Sequence, residues 1–350
     1  MAIFLYENNV HSISGVMACN MYRNIVEYNH CLREMESLCL LGRNGTRLRG
    51  GGSMIDLHMH SVNSDGTCTT EELLQQLVEL NAEIISFTDH DSVGCYFDLN
   101  DIYIKHNIPI KIVHGVELSF LEDGVLRDML GYGIDVKIII NWLNTRYSKE
   151  YRIAKQRKIL TKFKEICRNK GMKFSNDLDI CTGNKSEAFV VMYNELINYP
   201  TNREAFPFIT NNTAFYWQYF ANKSSEYYVD ETDGLPTMKD VIDIIHKSGG
   251  YAFLAHPCAY KLNRTEVSAF IDIAIKNGIN GIEVKHSSNK DDDVPFLRQI
   301  AEINNLYISG GSDFHGSTKP GLNLIVGYNN MLVTKDDIGN WINSVESTIF

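Results

Sequence analysis

The sequence predicts an α/β protein built on a parallel sheet, either open or closed into a barrel. Two observations carry this. From Met54 onward, short apolar runs alternate with amphipathic segments, the pattern of repeated strand–helix units. Each unusual polar cluster also falls at the C-terminal end of a predicted strand: His58 and His60, Asp89 and His90, Glu117, His256, then Asp313 and His315. In α/β barrels that end is the active face, and open sheets place ligands similarly.

Residues 1–53 stand apart. They hold three of the eight cysteines, lack strand–helix alternation and end in "NGTRLRGGGS". A Gly-Gly-Gly-Ser run has linker composition, so this stretch is read as an appended segment and left out of the functional argument. "MIDLHMH" is the first predicted strand, and "TTEELLQQLVELNA" the first helix. That helix has Thr69 or Thr70 as N-cap and Leu73, Leu74, Leu77 and Val78 as its apolar face. "EIISFTDHD" is a second strand, 92–106 a helix, "IKIVHGVELSF" a third strand and "VLRDMLGYGI" a fourth. A long basic helix is expected from about Lys149 to Lys170. Residues 171–235 lose the alternation and are read as an inserted helical cap. The pattern resumes with "TMKDVIDIIHKSGG" as a helix ended by glycine. "YAFLAHP", "GIEVKH" and "LYISGGSDFH" follow as strands, with helices at 264–278 and 293–305 between them. Residues 331–350 form a C-terminal segment.

The bulk numbers exclude several classes. A formal net charge of -10 argues against a broad basic nucleic-acid groove. No apolar run approaches the roughly 18 residues of a membrane span. The cysteines form no C-x-x-C pair, which suits a reducing compartment and a cytoplasmic protein. Oligomeric state is left open.

The polar clusters need a physical reason, because burying a charge or an unpaired imidazole costs several kcal/mol, roughly. His58 and His60 lie two apart, so on a strand they project to one side. Asp65 follows in "SDGT", His90 in "TDHD", Glu117 in "GVELS" and His256 before Pro257; Asp313 and His315 alternate in "GSDFH". His114, an odd number of residues from Glu117, is read as facing away. Imidazole and carboxylate suit Zn, Mn or Fe, and this many donors points to two or three divalent ions. Such centres clamp phosphate and activate water, so hydrolysis of a phosphate ester is the fitting reaction.

Together, "DLHMHS…SDGT", "TDHD", "GVELS", "AHP" and "GSDFH" resemble, in order and spacing, the motifs of the polymerase-and-histidinol-phosphatase (PHP) family. The likeness runs from about Met54 to Tyr328, giving a domain at 54–330. It implies a distorted (β/α)7 barrel with a mid-chain helical insertion and three metals. One metal would take His58, His60, Glu117 and Asp313. The second would share Glu117 and take His256, and the third would take Asp65, His90 and His315. Many members supply a further histidine where this chain has Asp128, which could ligate through oxygen. The resemblance leans toward stand-alone phosphoesterases of nucleoside 3',5'-bisphosphates or short oligonucleotides, the latter by 5'-3' exoribonuclease action. The partner is thus a phosphorylated small molecule or a short nucleic-acid end. A histidinol-phosphate or sugar-phosphate phosphatase is the alternative, and a non-catalytic metal-binding regulator the second. His286 is the candidate catalytic group for protonating the leaving oxygen or binding phosphate. Arg152, Arg157, Lys158 and Lys319 are candidate phosphate contacts.

Overall fold

The computed structural model describes residues 54–350 apart from 107, 176–177, 179–184, 206–215, 221, 231, 329–330, 346 and 349–350. The expected appended segment 1–53 lies outside the described residues. The strands are β1 (Met54–Asp56), β2 (Ala82–Ile85), β3 (Lys111–Val113), β4 (Gly115–Glu122), β5 (Val125–Tyr132), β6 (Tyr251–Leu254), β7 (Gly281–His286), β8 (Tyr307–Gly311) and β9 (Ser347–Thr348). They form two sheets, ordered β1-β2-β3-β9 and β4-β5-β6-β7-β8.

The architecture is mixed α/β, and two details differ from expectation. First, the sheets are not purely parallel. β1-β2-β3 and β6-β7-β8 are parallel, but β5 runs antiparallel to both β4 and β6. The cause is a two-residue reversal, Asp123-Gly124, with φ of 48° and 70°. An Asp-Gly pair is the usual occupant of a hairpin turn that needs two left-handed residues. Second, the ladders make two sheets rather than one closed barrel. The long third strand breaks at His114, whose carbonyl accepts from Gly133 and Ile134 N–H at 2.7 and 3.3 Å. β3 and β4 consequently belong to different sheets.

Isolated backbone bonds still tie the two sheets where the polar motifs lie. Asp313 N–H donates to the His58 carbonyl at 2.7 Å, and His60 N–H to that of Phe314 at 2.8 Å. On the other side Asp91 N–H donates to the Glu117 carbonyl at 2.8 Å. The strand ends bearing the motifs are thereby held together from both directions.

The helices are α1 (Thr70–Glu79), α2 (Leu99–His106), α3 (Val136–Arg146), α4 (Lys149–Asn169), α5 (Lys185–Ile197), α6 (Pro200–Ala205), α7 (Met238–Lys247), α8 (Arg264–Asn277), α9 (Asp293–Ile303) and α10 (Lys335–Ile338). Their starts are chemically marked. Thr69, Thr237 and Asn263 each form a reciprocal capping box with Glu72, Asp240 and Glu266, satisfying N–H groups that a helix start leaves free. α8 ends on left-handed Gly278. Among the described residues no helix is long and apolar enough to cross a membrane.

One large apolar core packs α3, α7, α8 and α9 on the second sheet, through Leu118, Phe120, Ile245, Phe270, Ile282 and Leu297. A separate apolar cluster joins the later turns of α4 to residues beyond it: Ile159, Phe163, Cys167, Met192, Leu196 and Phe220. The mid-chain stretch therefore has its own core.

Candidate metal centre

His58 and His60 leave the end of β1, where alternation points both imidazoles the same way. Their Nε2 atoms lie 3.2 Å apart, and both side chains are fully buried. β8 can pass beneath them because residue 311 is glycine; a Cβ there would sit 2.3 Å from the His58 nitrogen. Glu117 on β4 faces this pair, with Oε2 3.2 Å from each Nε2. Its other oxygen, Oε1, lies 3.0 Å from Nε2 of His256. Asp313 completes the group, its Oδ1 3.4 Å from His58 Nε2 and 3.2 Å from His60 Nε2. Both His256 (φ 27°) and Asp313 (φ 56°) adopt left-handed backbone. That conformation is costly for residues with a Cβ and concentrates at functional sites.

A second set gathers beside the first. His315 Nε2 is 3.3 Å from Asp65 Oδ1, and His60 Nδ1 is 3.6 Å from the same oxygen. His90 approaches from the end of β2, its Nδ1 3.3 Å from Glu117 Oε2. In this way His60, Asp65, His90 and His315 bring one ligand atom each within 4.8 Å of one another, and so do His90, Glu117 and Asp128. His114 is in none of these groups.

The tautomers can be read from fixed partners. His58 places Nδ1 2.9 Å from Glu283 Oε1, so its Nδ1–H donates and Nε2 is the atom turned to the cluster. His315 places Nδ1 2.7 Å from the Asp313 carbonyl, which likewise frees Nε2. His286 is the opposite case. Its Nδ1 accepts from Ser288 N–H at 3.1 Å, which puts the proton on Nε2, 3.2 Å from Asp313 Oδ2. Lys319 Nζ reaches the same Oδ2 at 2.5 Å.

The charges are strongly coupled. Burial alone would raise Glu117, but the His90 and His58 imidazolium charges, with hydrogen bonds from His256 and His58, hold it well below the usual carboxylate range. Burial alone would lower His58; Glu283, Glu117 and Asp313 together raise it well above an ordinary histidine. Burial is likewise overcome at His90, which Glu117, Asp128, Asp65 and Asp91 lift to about 9. Carboxylates and imidazoles at this density hold one another in their charged forms, the arrangement a set of divalent ions replaces when bound. His90 Nδ1 is buried and makes no well-aligned hydrogen bond, facing Glu117 Oε2 at 3.3 Å, so its ring nitrogen is aimed into the carboxylate set. The residues therefore fit divalent metals.

The profile of the family described as PHP domain matches residues 56–287. The chain belongs to the PHP family. The 5'-3' exoribonuclease Rnm of Salmonella typhimurium strain LT2 is 24% identical over 264 residues, which are 74% of this chain and 84% of that protein. The 3',5'-nucleoside bisphosphate phosphatase of Chromobacterium violaceum is 24% identical over 271 residues, 76% of this chain and 89% of that protein. Among solved structures, an amidohydrolase from Chromobacterium violaceum with bound sulfate and no metal superposes with a TM-score of 0.58 at 22% identity. It covers 78% of this chain and 90% of that one, and the likeness speaks to fold.

Within this PHP domain, not every predicted residue joins the cluster. Arg152, Arg157 and Lys158 are exposed on α4; Lys158 is engaged elsewhere, by Asp233 Oδ2 at 2.8 Å and the Asp230 carbonyl at 3.1 Å. Asp128 lies across the strand pair from Ser119, whose hydroxyl donates to its Oδ1 at 2.9 Å. Three supporting carboxylates were not singled out as site residues from sequence. Glu283, fully buried on β7, accepts from His58 Nδ1–H and, at 2.9 Å, from the His256 backbone N–H. Asp89 accepts from Ser61 N–H, Ser61 Oγ and Ser64 Oγ, each at 2.7 Å, and so ties down the loop carrying Asp65. Asp56 accepts from Ser312 N–H at 2.8 Å and Ile325 N–H at 2.8 Å, fixing the segment before Asp313. The signal for Glu283 was available: a lone carboxylate inside the apolar run of "GIEVKH" needs a buried donor.

Proposed function

We propose that this chain is a divalent-metal phosphoesterase acting on nucleoside 3',5'-bisphosphates or the ends of short oligonucleotides. The observation that carries it is the convergence of His58, His60, Glu117, His256, Asp313, Asp65, His90 and His315 at the ends of successive strands, in overlapping groups. The names of the exoribonuclease and bisphosphate-phosphatase relatives support the substrate class.

In this reading His58, His60, Glu117 and Asp313 hold one ion. Glu117, His256 and Asp128 serve a second, and Asp65, His90 and His315 a third. When bound, such ions acidify water and neutralise phosphoryl charge. The remaining roles belong to the chain. Glu283 and the Asp313 carbonyl orient His58 and His315 through their Nδ1–H groups, a partnership that typically sets ligand affinity. Lys319 holds one oxygen of Asp313, with His286 Nε2 3.2 Å from it, leaving the other directed at His58 and His60. With its proton on Nε2, His286 is also the group placed to donate to a leaving oxygen. Lys319, whose side chain is partly exposed, can turn from Asp313 to a phosphate.

The test is a turnover panel on the metal-loaded protein: a nucleoside 3',5'-bisphosphate, a short 5'-phosphorylated RNA, and small phosphomonoesters including histidinol phosphate. Release of phosphate or nucleotides from the first two, abolished by chelator, is expected. Absence of turnover across the whole panel overturns the assignment, and preference for the small phosphomonoesters moves the substrate to metabolites.

A further inference from the structure

The donor atoms are not evenly mixed across the cluster. At one end, the group His60, Asp65, His90 and His315 offers three imidazoles and one carboxylate. Toward Asp128, the adjoining group His90, Glu117 and Asp128, which shares His90 with the first, offers two carboxylates and one imidazole. Carboxylate oxygen favours harder ions such as Mn or Mg, whereas imidazole suits Zn and Fe. We propose that the centre is two-ended in its metal choice, with an oxygen-rich pole at Glu117 and Asp128 that takes a harder ion such as Mn. Ser119 and Tyr260 act there as positioning residues for Asp128. This rests on the reading that the cluster binds divalent ions at all.

The surroundings of Asp128 are built for orientation. Ser119 and Asp128 are direct partners in the β4–β5 ladder, so strand register sets the 2.9 Å bond from Ser119 Oγ to Oδ1. Tyr260 is fixed by logic as well as contact. Its hydroxyl accepts from Asp128 N–H at 2.9 Å, which leaves its own proton to point at Asp128 Oδ2, 3.4 Å away. The Tyr260 ring cannot drift, because the Arg127 guanidinium lies 4.3 Å over its face and Phe270 packs edge-on at 6.1 Å. Each carboxylate oxygen has one lone pair engaged by a hydroxyl and one left over. One oxygen stands within 4.8 Å of ligand atoms from His90 and Glu117.

Isothermal titration of the metal-free full chain with Mn and, separately, with Zn tests this without reference to turnover. In Asp128→His, the Zn-to-Mn affinity ratio should rise about tenfold at one binding event and stay unchanged at the others. In the near-isosteric Asp128→Asn, Mn affinity at that event should fall about tenfold or more, and in Tyr260→Phe by less, in line with what ligand-orienting partners contribute. An unchanged ratio in Asp128→His, or unchanged Mn binding in Asp128→Asn, overturns the proposal. Should Asp128→His fail to fold by circular dichroism, the Asp128→Asn titration decides alone. If the wild-type chain takes up no divalent ion, the metal-centre reading itself falls and this inference with it. If it binds ions that His58→Ala abolishes while Asp128→Asn changes nothing, only the two-ended assignment fails.

Discussion

Two buried regions of this chain are stabilised in opposite ways. At the strand ends, His58, His60, Glu117 and Glu283 are wholly buried, and what holds them is charge compensation. In the cluster that joins α4 to residues beyond it, Ile159, Phe163, Cys167, Met192 and Phe220 are equally enclosed, and what holds them is close packing of apolar volume. The first region is therefore sensitive to protons and ions, and the second chiefly to lost apolar volume. The difference teaches that burial alone does not identify a core. A buried carboxylate that meets four imidazoles, as Glu117 does, is a site in waiting.

The largest expected effect breaks the comparison at Glu117. Glu117→Gln keeps the shape but removes the charge shared among His58, His60, His90 and His256. Turnover should fall at least about a thousandfold, several kcal/mol of transition-state stabilisation, with loss of bound ions by elemental analysis. Full metal content with near-normal turnover would refute the proposed sharing of Glu117 between two ions. The converse substitution is Phe163→Ala, in a side chain 2% exposed and 6.5 Å from the Phe220 ring. It should cost about 3–5 kcal/mol by urea unfolding while metal content stays normal. If metal is lost in parallel with stability, the two regions are not independent.

Acidity sharpens the contrast further. His90 is raised from 6.5 to about 9 by its carboxylate neighbours against the pull of burial, and His58 and His256 are raised as well. A group whose folded pKa is raised contributes stability that is complete below its unfolded value and lost as pH climbs through the folded one. Chelator-treated protein should therefore melt at progressively lower temperature from pH 6.5 to 9. Metal-loaded protein should do the opposite over that range, because protons compete with ions for the same imidazoles. Parallel melting curves in the two states would show that ions and protons do not share these sites. Phe163→Ala should lower both curves without changing either slope.

The same contrast explains what could be read from sequence. The cluster was legible because strand periodicity converts "DLHMH" and "GSDFH" into pairs on one face, and because polar residues at apolar strand ends are improbable without a partner. Glu283 was passed over because one carboxylate within "GIEVKH" carries no spacing pattern, and its role depends on His58 lying 225 positions away. The strand β5 was expected, but its reversed direction was not, although Asp123-Gly124 is a strong hairpin signal; strand–helix alternation elsewhere favoured a parallel reading. Of the separate core on and beyond α4, only the lost alternation over 171–235 was legible, and none of its members. Its residues are ordinary apolar side chains whose only distinction is which neighbours they meet, and that is decided by tertiary packing.

The smallest expected effect concerns the basic face of α4, where charge pattern on its own suggested phosphate contacts. Lys158 is half exposed and already shared between the Asp233 carboxylate and the Asp230 carbonyl. An exposed pair of this kind contributes little, because water screens it and two long side chains must be ordered to make it. Lys158→Ala should accordingly change unfolding free energy by under about 1 kcal/mol and leave kcat/KM within about twofold, the scale of surface ion pairs. Lys319 is the internal control, since its ammonium lies against Asp313. Lys319→Met should lower kcat/KM well beyond the Lys158 variant on the same substrate, by roughly the tenfold that partners of metal ligands contribute. A loss at Lys158 equal to that at Lys319 would mean that α4 swings its basic face toward the substrate. The division between a charge-built site and an apolar-built neighbour would then be a property of the free protein only.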